Sequence, residues 1–318
     1  MIRSLPLAAA SVDDPWADWL LHERSAGDPE FEMRIQARVI EYIDRALRPL
    51  ELPPGATLLD FGCGDGALGL RALSLRDDLR AVFADTSDEL LDRANERAEA
   101  AGVGARCRFV LLTGGDLAGI ADASVDAVCT RSALAYVPDK PGMLAHFHRV
   151  LRPGGMLSLA EPVFRDDALV CCAERSALEG PQAPELPAAL HLLHKWRARQ
   201  FPDTADALAA CPHCNFSERD LIAWAMQAGF ERAHLELHID SGPALAPDWE
   251  SFTRHTPHPF ATSLRDVLDW DCNPAERDWL ESLLRRQWEQ GAMISVDRMA
   301  YLQARRPGAP APEPPAPG

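Results

Sequence analysis

The chain has 318 residues, 47% of them hydrophobic, with 32 basic and 48 acidic side chains and a formal charge of −16. That length suits one large domain with insertions, and the acidic balance, without a basic run anywhere, argues against a nucleic-acid partner, whose phosphates need clustered lysine and arginine. No stretch approaches a membrane-spanning length, and the opening Met1 to Asp14 is too brief for a secretory core, so the eight cysteines are expected as reduced thiols of a cytoplasmic protein.

After a start expected to be mobile, residues 17–24 and 34–50 carry apolar side chains at helical spacing, notably Ile35, Val39, Ile43 and Leu47. They read as an amino-terminal helical cap over residues 1–52. Pro53, Pro54 and Gly55 break the helix and open the main domain, residues 53–306, in which short apolar strands alternate with amphipathic helices. That is the pattern of a parallel α/β sheet. Strands are expected at 57–61, 80–85, 107–112, 125–130 and 156–163. Thr86 and Glu89 form a capping-box pair that opens a helix ended by Gly102. A further helix over 141–151 stops before Pro153-Gly154-Gly155.

The alternation breaks at Phe164. Two long stretches, about 164–215 and 242–292, follow, and structureless loops of that length are uncommon in a compact domain, so both are expected to be helical and packed. Between them Ser217 to Phe230 reads as a helix with a glycine cap and 233–239 as a strand. A last strand falls near 296–304. The ending, 307–318, is proline-rich and poor in apolar residues, the composition of a disordered tail.

The stretch LLDFGCGDGALGL, residues 58–70, is a strand running through a glycine-rich turn into a helix. Gly62, Gly64 and Gly66 bring backbone close to a ligand, while Gly64, Gly66 and Gly69 also satisfy the dinucleotide fingerprint. Asp60, at the strand's end, weighs against a dinucleotide, because a carboxylate repels pyrophosphate. S-adenosylmethionine, with its ammonium and sulfonium, reverses that sign. Asp85 closes the second strand, where an acid can accept from both ribose hydroxyls.

With these residues in hand, the chain resembles the class I S-adenosylmethionine-dependent methyltransferases over about 57–163 and 216–239. The motifs LLDFGCGDG, FADTS, DASVDAVCTRSALAYV and HRVLRPGGMLSLAEP carry the resemblance, the last two most like the methyltransferase type 11 branch that includes quinone-biosynthesis enzymes. It implies a Rossmann-like, seven-stranded, mostly parallel sheet with helices on both faces. It also implies S-adenosyl-L-methionine as cofactor and methyl transfer to a small-molecule acceptor. Asp60 with Gly62, Cys63, Gly64 and Gly66 would hold the methionine part, and Asp85, flanked by Thr86 and Ser87, the ribose. Gly115, Asp116 and Leu117 fall where the family cradles adenine. The usual Gly-Asp-Ala triplet is missing there, and Asp116 stands in for its aspartate. Thr130 and Arg131 end the fourth strand, where an arginine can pair the cofactor's carboxylate bidentately.

On the acceptor side, Glu161 ends the fifth strand at the carboxyl edge and is a candidate base or hydroxyl holder. His191 and His194, three apart on an expected helix, are further candidates, with His255 and His258 in the second insertion. Trp16, Trp19, Trp196, Trp249, Trp270, Trp279 and Trp288 lie outside the sheet and either line an apolar pocket or pack cap helices. Cys211-Pro-His-Cys214 has half the spacing of a zinc site, but a second C-x-x-C is missing and adjacent Cys171 and Cys172 are awkward tetrahedral partners, so no metal is expected. Two other classes compete: a non-catalytic protein that senses S-adenosylmethionine, and an NAD-dependent oxidoreductase that survives on the fingerprint alone.

Overall fold

The alternation of apolar runs with amphipathic helices produces one seven-stranded sheet. The computed structural model describes residues 14–181 and 187–308; the start before Asp14 and the tail from 309, read above as mobile and disordered, lie outside them. In chain order the strands are β1 (Thr57–Phe61), β2 (Arg80–Asp85), β3 (Cys107–Leu111), β4 (Val125–Arg131), β5 (Leu151–Pro162), β6 (Glu231–Pro243) and β7 (Ile294–Arg305). They are arranged β3-β2-β1-β4-β5-β7-β6. The first five run parallel, and β7 lies antiparallel between β5 and β6. The order reverses between β1 and β4, and ligands of such sheets bind beyond the carboxyl ends of the strands at that reversal.

Helices cover both faces, as the buried strands require. On one face α2 (Pro29–Leu47), α3 (Ala67–Leu75) and α4 (Asp88–Ala100) bring Val39, Ile43, Leu68, Leu73 and Leu91 against Leu58 and Phe83. On the other, α5 (Lys140–Val150) and α9 (Glu218–Gln227) bring Leu144, Phe147 and Leu221 against Leu59, Val128 and Leu157. Burying each large aliphatic side chain there stabilises the sandwich by about 1.5–3 kcal/mol.

Three expectations need correction. The helix α2 is no cap: its Val39 and Ile43 stripe packs directly on the sheet, and Ser158 Oγ of β5 donates to Ala46 O at 2.7 Å. That leaves α1 (Pro15–Asp18) and its π-helical continuation Trp19–Glu23 as the covering segment. Ser87, not Thr86, caps α4, because Ser87 is extended and its Oγ accepts from Leu90 N at 3.1 Å. The Pro153-Gly154-Gly155 run belongs to β5 instead of preceding it. Gly154 N donates to Arg306 O at 3.0 Å and Arg306 N to Gly155 O at 2.9 Å, so these residues hold the chain just past the end of β7.

The first insertion contains α6 (Arg165–Glu179), α7 (Ala188–Arg197) and α8 (Ala205–Ala210). The second contains α10 (Trp249–Arg254), α11 (Leu264–Asp266) with a π-helical turn after it, and α12 (Pro274–Glu289). Leu192, Trp249, Phe252, Leu268, Leu280 and Leu284 join Phe31 in a core separate from the sheet's. Lys195 to Glu276 at 2.8 Å and Arg199 to Asp271 at 2.7 Å tie the two insertions together. Among the described residues no helix is long and apolar enough to cross a membrane.

Candidate functional site

At the end of β1 the chain must turn sharply into α3, and Gly62 permits it. Its φ is +63°, and a Cβ there would lie 2.3 Å from Ala133 Cβ, so a side chain would displace the neighbouring turn. Gly64, at φ +53°, donates its N–H to Asp85 Oδ2 at 2.7 Å, and Asp85 Oδ1 accepts from Ser87 N at 3.0 Å. The second strand's acid thus braces the first strand's turn, and burial pushes its carboxyl up. Gly62, Cys63, Gly64, Asp65, Asp85 and Thr86 all border one large cleft. Asp60 does not. It is 1% exposed, accepts from Gly69 N at 2.8 Å, and is pushed up to about 7, chiefly by burial. Asp60 therefore holds the turn from behind. Gly66 serves as the left-handed N-cap of α3, and Ser87 is buried as the cap of α4.

Arg131, the last residue of β4, lines the cleft. Among the described residues its guanidinium makes no ion pair within 4.0 Å, and burial lowers its pKa while Asp65, Asp60 and Glu161 oppose that shift. An anionic group arriving from the cleft would find an unpaired fork of donors.

Glu161 is not available to an acceptor. It is fully buried, takes the Thr130 hydroxyl on Oε1, and takes Ala133 N at 3.1 Å and Ala135 N at 2.9 Å on Oε2. Its carboxylate closes the turn after β4, where Ser132 has φ +53°, and Thr130 is consumed by the same network. His191 is exposed on α7. His194 faces Asp203 at 3.4 Å. Neither borders the cleft, because α7 turns its apolar side toward the insertion core.

On the adenine side, Leu111, Leu112, Thr113, Gly114 and Gly115 border the cleft. Asp116 is exposed and accepts from Ala118 N at 3.2 Å in a local turn, while Leu117 is wholly buried in the sheet core. Neither occupies the cradle assigned to it by resemblance.

The cleft continues from the glycine turn into an aromatic chamber. Trp16 packs edge-on against Tyr136 at 5.0 Å and Phe260 at 5.6 Å, and Trp19 Nε1 donates to Thr256 O at 3.1 Å. Ser87 Oγ donates to Asp14, and Leu20 lies 3.3 Å from the place a Gly64 Cβ would take. The amino-terminal segment thus joins the cofactor edge to the second insertion. The histidines bordering the cleft are His22, His213 and His255. His255 Nδ1 lies 2.8 Å from Phe252 O. A carbonyl only accepts, so Nδ1 carries the proton and Nε2 is left as acceptor. Burial lowers the His255 pKa and keeps the ring neutral. His258 is saturated and buried, with its pKa held down to about 3.

His213 lies within the Cys-Pro-His-Cys stretch. The structure seats it among Tyr136, Phe164, His258 and Phe260, beside Cys211 and Cys214. The Cys214 thiol and then His213 favour a thiolate on Cys211, and the second thiol is pushed up in turn.

Residues 58–155 match a family model described as a methyltransferase domain. Over 150 residues the chain is 36% identical to the 27-O-demethylrifamycin SV methyltransferase of Amycolatopsis mediterranei, covering 47% of this chain and 53% of that protein. The tRNA 5-carboxymethoxyuridine methyltransferase of Escherichia coli is 32% identical over 39% of this chain and 46% of its own length. The Nocamycin O-methyltransferase of Saccharothrix syringae is 31% identical over 216 residues, 66% of this chain and 69% of that protein. The chain therefore spans about half the length of the first two relatives and about two thirds of the third.

Proposed function

The chain belongs to the S-adenosylmethionine-dependent methyltransferase family, and we propose from that premise that it transfers a methyl group to a small-molecule acceptor held in the aromatic chamber. The observation that carries this reading is continuity: one cleft of about 2430 Å³ runs from Gly64 and Asp85 to Tyr136, His213, His255 and Phe260. A drug-sized ligand occupies a pocket of about 300–1,000 Å³. The cleft therefore has room for the cofactor and for a second ligand at least as large.

The residues present fit the family's cofactor. Unpaired Arg131 suits a carboxylate, Asp85 suits ribose hydroxyls, and the cleft-lining acids Asp65 and Asp85 suit a cation while opposing a dinucleotide's phosphates. When bound, S-adenosyl-L-methionine supplies an electrophilic methyl carbon on a cationic sulfur. The chain's own part is alignment and dryness: Trp16, Leu20 and Trp19 cover the cleft, and Tyr136 and Phe260 wall it. Where the acceptor carries a proton, neutral His255 is the group suited to take it on Nε2.

The charge of −16 favours a small acceptor over RNA. Incubating the protein with methyl-labelled cofactor and a metabolite extract, or with total RNA, tests the reading by mass spectrometry. Label in a small molecule supports it, and label in RNA alone overturns the acceptor class. Tight cofactor binding without turnover on any extract points to the sensing alternative, and binding of NAD in place of S-adenosylmethionine to the oxidoreductase.

A further inference from the structure

The turn between α8 and α9 carries Cys211, His213 and Cys214. All three are buried, and one ligand atom from each lies within 4.8 Å of the other two. We propose that this triad binds a thiophilic tetrahedral cation, zinc by its chemistry, with the fourth coordination position open to the cleft. Metal–sulfur and metal–nitrogen bonds of about 2.3 and 2.0–2.1 Å at a tetrahedral angle hold sulfur and nitrogen about 3.6 Å apart. Cys211 Sγ lies 3.5 Å from His213 Nδ1 and 3.4 Å from Nε2, within the sulfur–nitrogen spacing of a coordinated pair, and rotation of the ring would aim one nitrogen at a shared ion. The turn is built to keep this spacing, since Cys214 N and Asn215 N both donate to Cys211 O, at 3.0 and 2.9 Å. Phe260 stacks on the imidazole at 5.5 Å and 20°.

A second observation comes from Lys140, which is 1% exposed. Its ammonium donates to Val137 O at 3.0 Å and Pro212 O at 2.6 Å, and among the described residues it has no carboxylate within 4.0 Å. A buried cation needs nearby negative charge. Glu161 supplies part of it from beyond 4.0 Å and the Phe216 ring lies 4.7 Å from the ammonium; two coordinating thiolates would add charge at the triad itself, on whose backbone Pro212 places the ammonium. Binding releases the two thiol protons to solvent.

Among the described residues no side chain supplies the fourth ligand. His258, whose ring centroid is 4.8 Å from that of His213, has Nε2 bonded to Gln200 O and Nδ1 to Phe260 N. Cys171 and Cys172 turn their thiols to Phe201 O and Pro202 O. Cys211 and His213 border the cleft, so the remaining position takes water or a heteroatom of whatever ligand lies there, the arrangement of zinc sites that keep an open position.

The test loads the full chain with neither cofactor nor acceptor present, so its outcome is independent of the methyl-transfer reading. Protein purified under reducing conditions and stripped with chelator is titrated with Co²⁺ and then Zn²⁺. A single equivalent of Co²⁺ should give sulfur-to-cobalt charge-transfer absorption with the visible bands of a four-coordinate ion, both abolished by a single equivalent of Zn²⁺. His213→Ala should weaken binding by at least about 100-fold, and Cys214→Ser should diminish the charge-transfer band, while Cys272→Ser should change neither. Where a cysteine variant fails to fold, the wild-type titration still decides. Absence of the charge-transfer band, a Cys211–Cys214 disulfide in a chain that takes no metal, or undiminished binding by folded His213→Ala would each overturn the proposal.

Discussion

Replacing Asp85 by alanine removes a structural brace and, on the proposed reading, a cofactor contact, and the two effects can be measured apart. The carboxylate is 7% exposed and accepts from Gly64 N at 2.7 Å and Ser87 N at 3.0 Å. A buried donor left without a partner costs about 1–3 kcal/mol. Gly64 borders the cleft and regains water, so the expected loss of stability is about 1–3 kcal/mol in total. Ribose hydroxyls bonded to a charged group contribute about 1.5–3 kcal/mol, which at 1.36 kcal/mol per decade is a loss of about 10- to 150-fold in S-adenosylmethionine affinity. Asp85→Asn keeps an oxygen for Gly64 N and should recover most of the stability but only part of the affinity. Calorimetric titration reads the affinity, and thermal denaturation without ligand reads the brace. An alanine variant that binds within about twofold of wild type, below the scale of one hydrogen bond, would refute the assignment of Asp85 to the cofactor.

Gly62→Ala should abolish cofactor binding and lower the melting temperature, because the added methyl meets Ala133 at 2.3 Å in a φ of +63°; wild-type values for both would contradict the turn geometry. Glu161→Ala should destabilise the chain by about 2–4 kcal/mol through stranded N–H groups, while Glu161→Gln should leave the pH profile of turnover unchanged. Loss of a titrating limb in the glutamine variant would restore Glu161 as a base. His258 has its folded pKa held down to about 3 by burial, so an unfolded imidazole gains a proton below about 6.5 that the native ring refuses. Its contribution to stability is complete above that value and is lost as pH falls toward 3, on the order of 5 kcal/mol in all. Denaturant melts at pH 7.5 and 5 should show a steeper loss for wild type than for His258→Gln, and equal slopes would remove His258 as the source.

The parallel strands were legible because apolar runs of four to six residues ended at acids and glycines, a pattern that depends on local chemistry alone. Arg80–Asp85 matches its expected bounds for that reason. The directions of side chains at strand ends were not legible. Glu161 and Thr130 stand at the carboxyl edge as expected, yet they face each other beneath the turn after β4, a pairing across two strands that spacing cannot reveal. His191 and His194 share a helix face, but which way α7 turns depends on its packing with α12 in the insertion core. The Cys-Pro-His-Cys turn was set aside because a second C-x-x-C is missing and Cys171 and Cys172 are adjacent, and spacing alone could not reveal that Cys211, His213 and Cys214 are buried with their ligand atoms within 4.8 Å of one another. Arg131 was named by resemblance alone, and only the fold reveals that its charge lies unpaired at the cleft.

The most direct test of the account is a crystal structure with S-adenosylhomocysteine. The ribose is expected on Asp85, the carboxylate on Arg131, and the sulfur facing the chamber walled by Trp16, Tyr136 and Phe260. Ligand bound elsewhere, or with its sulfur directed away from that chamber, would contradict it.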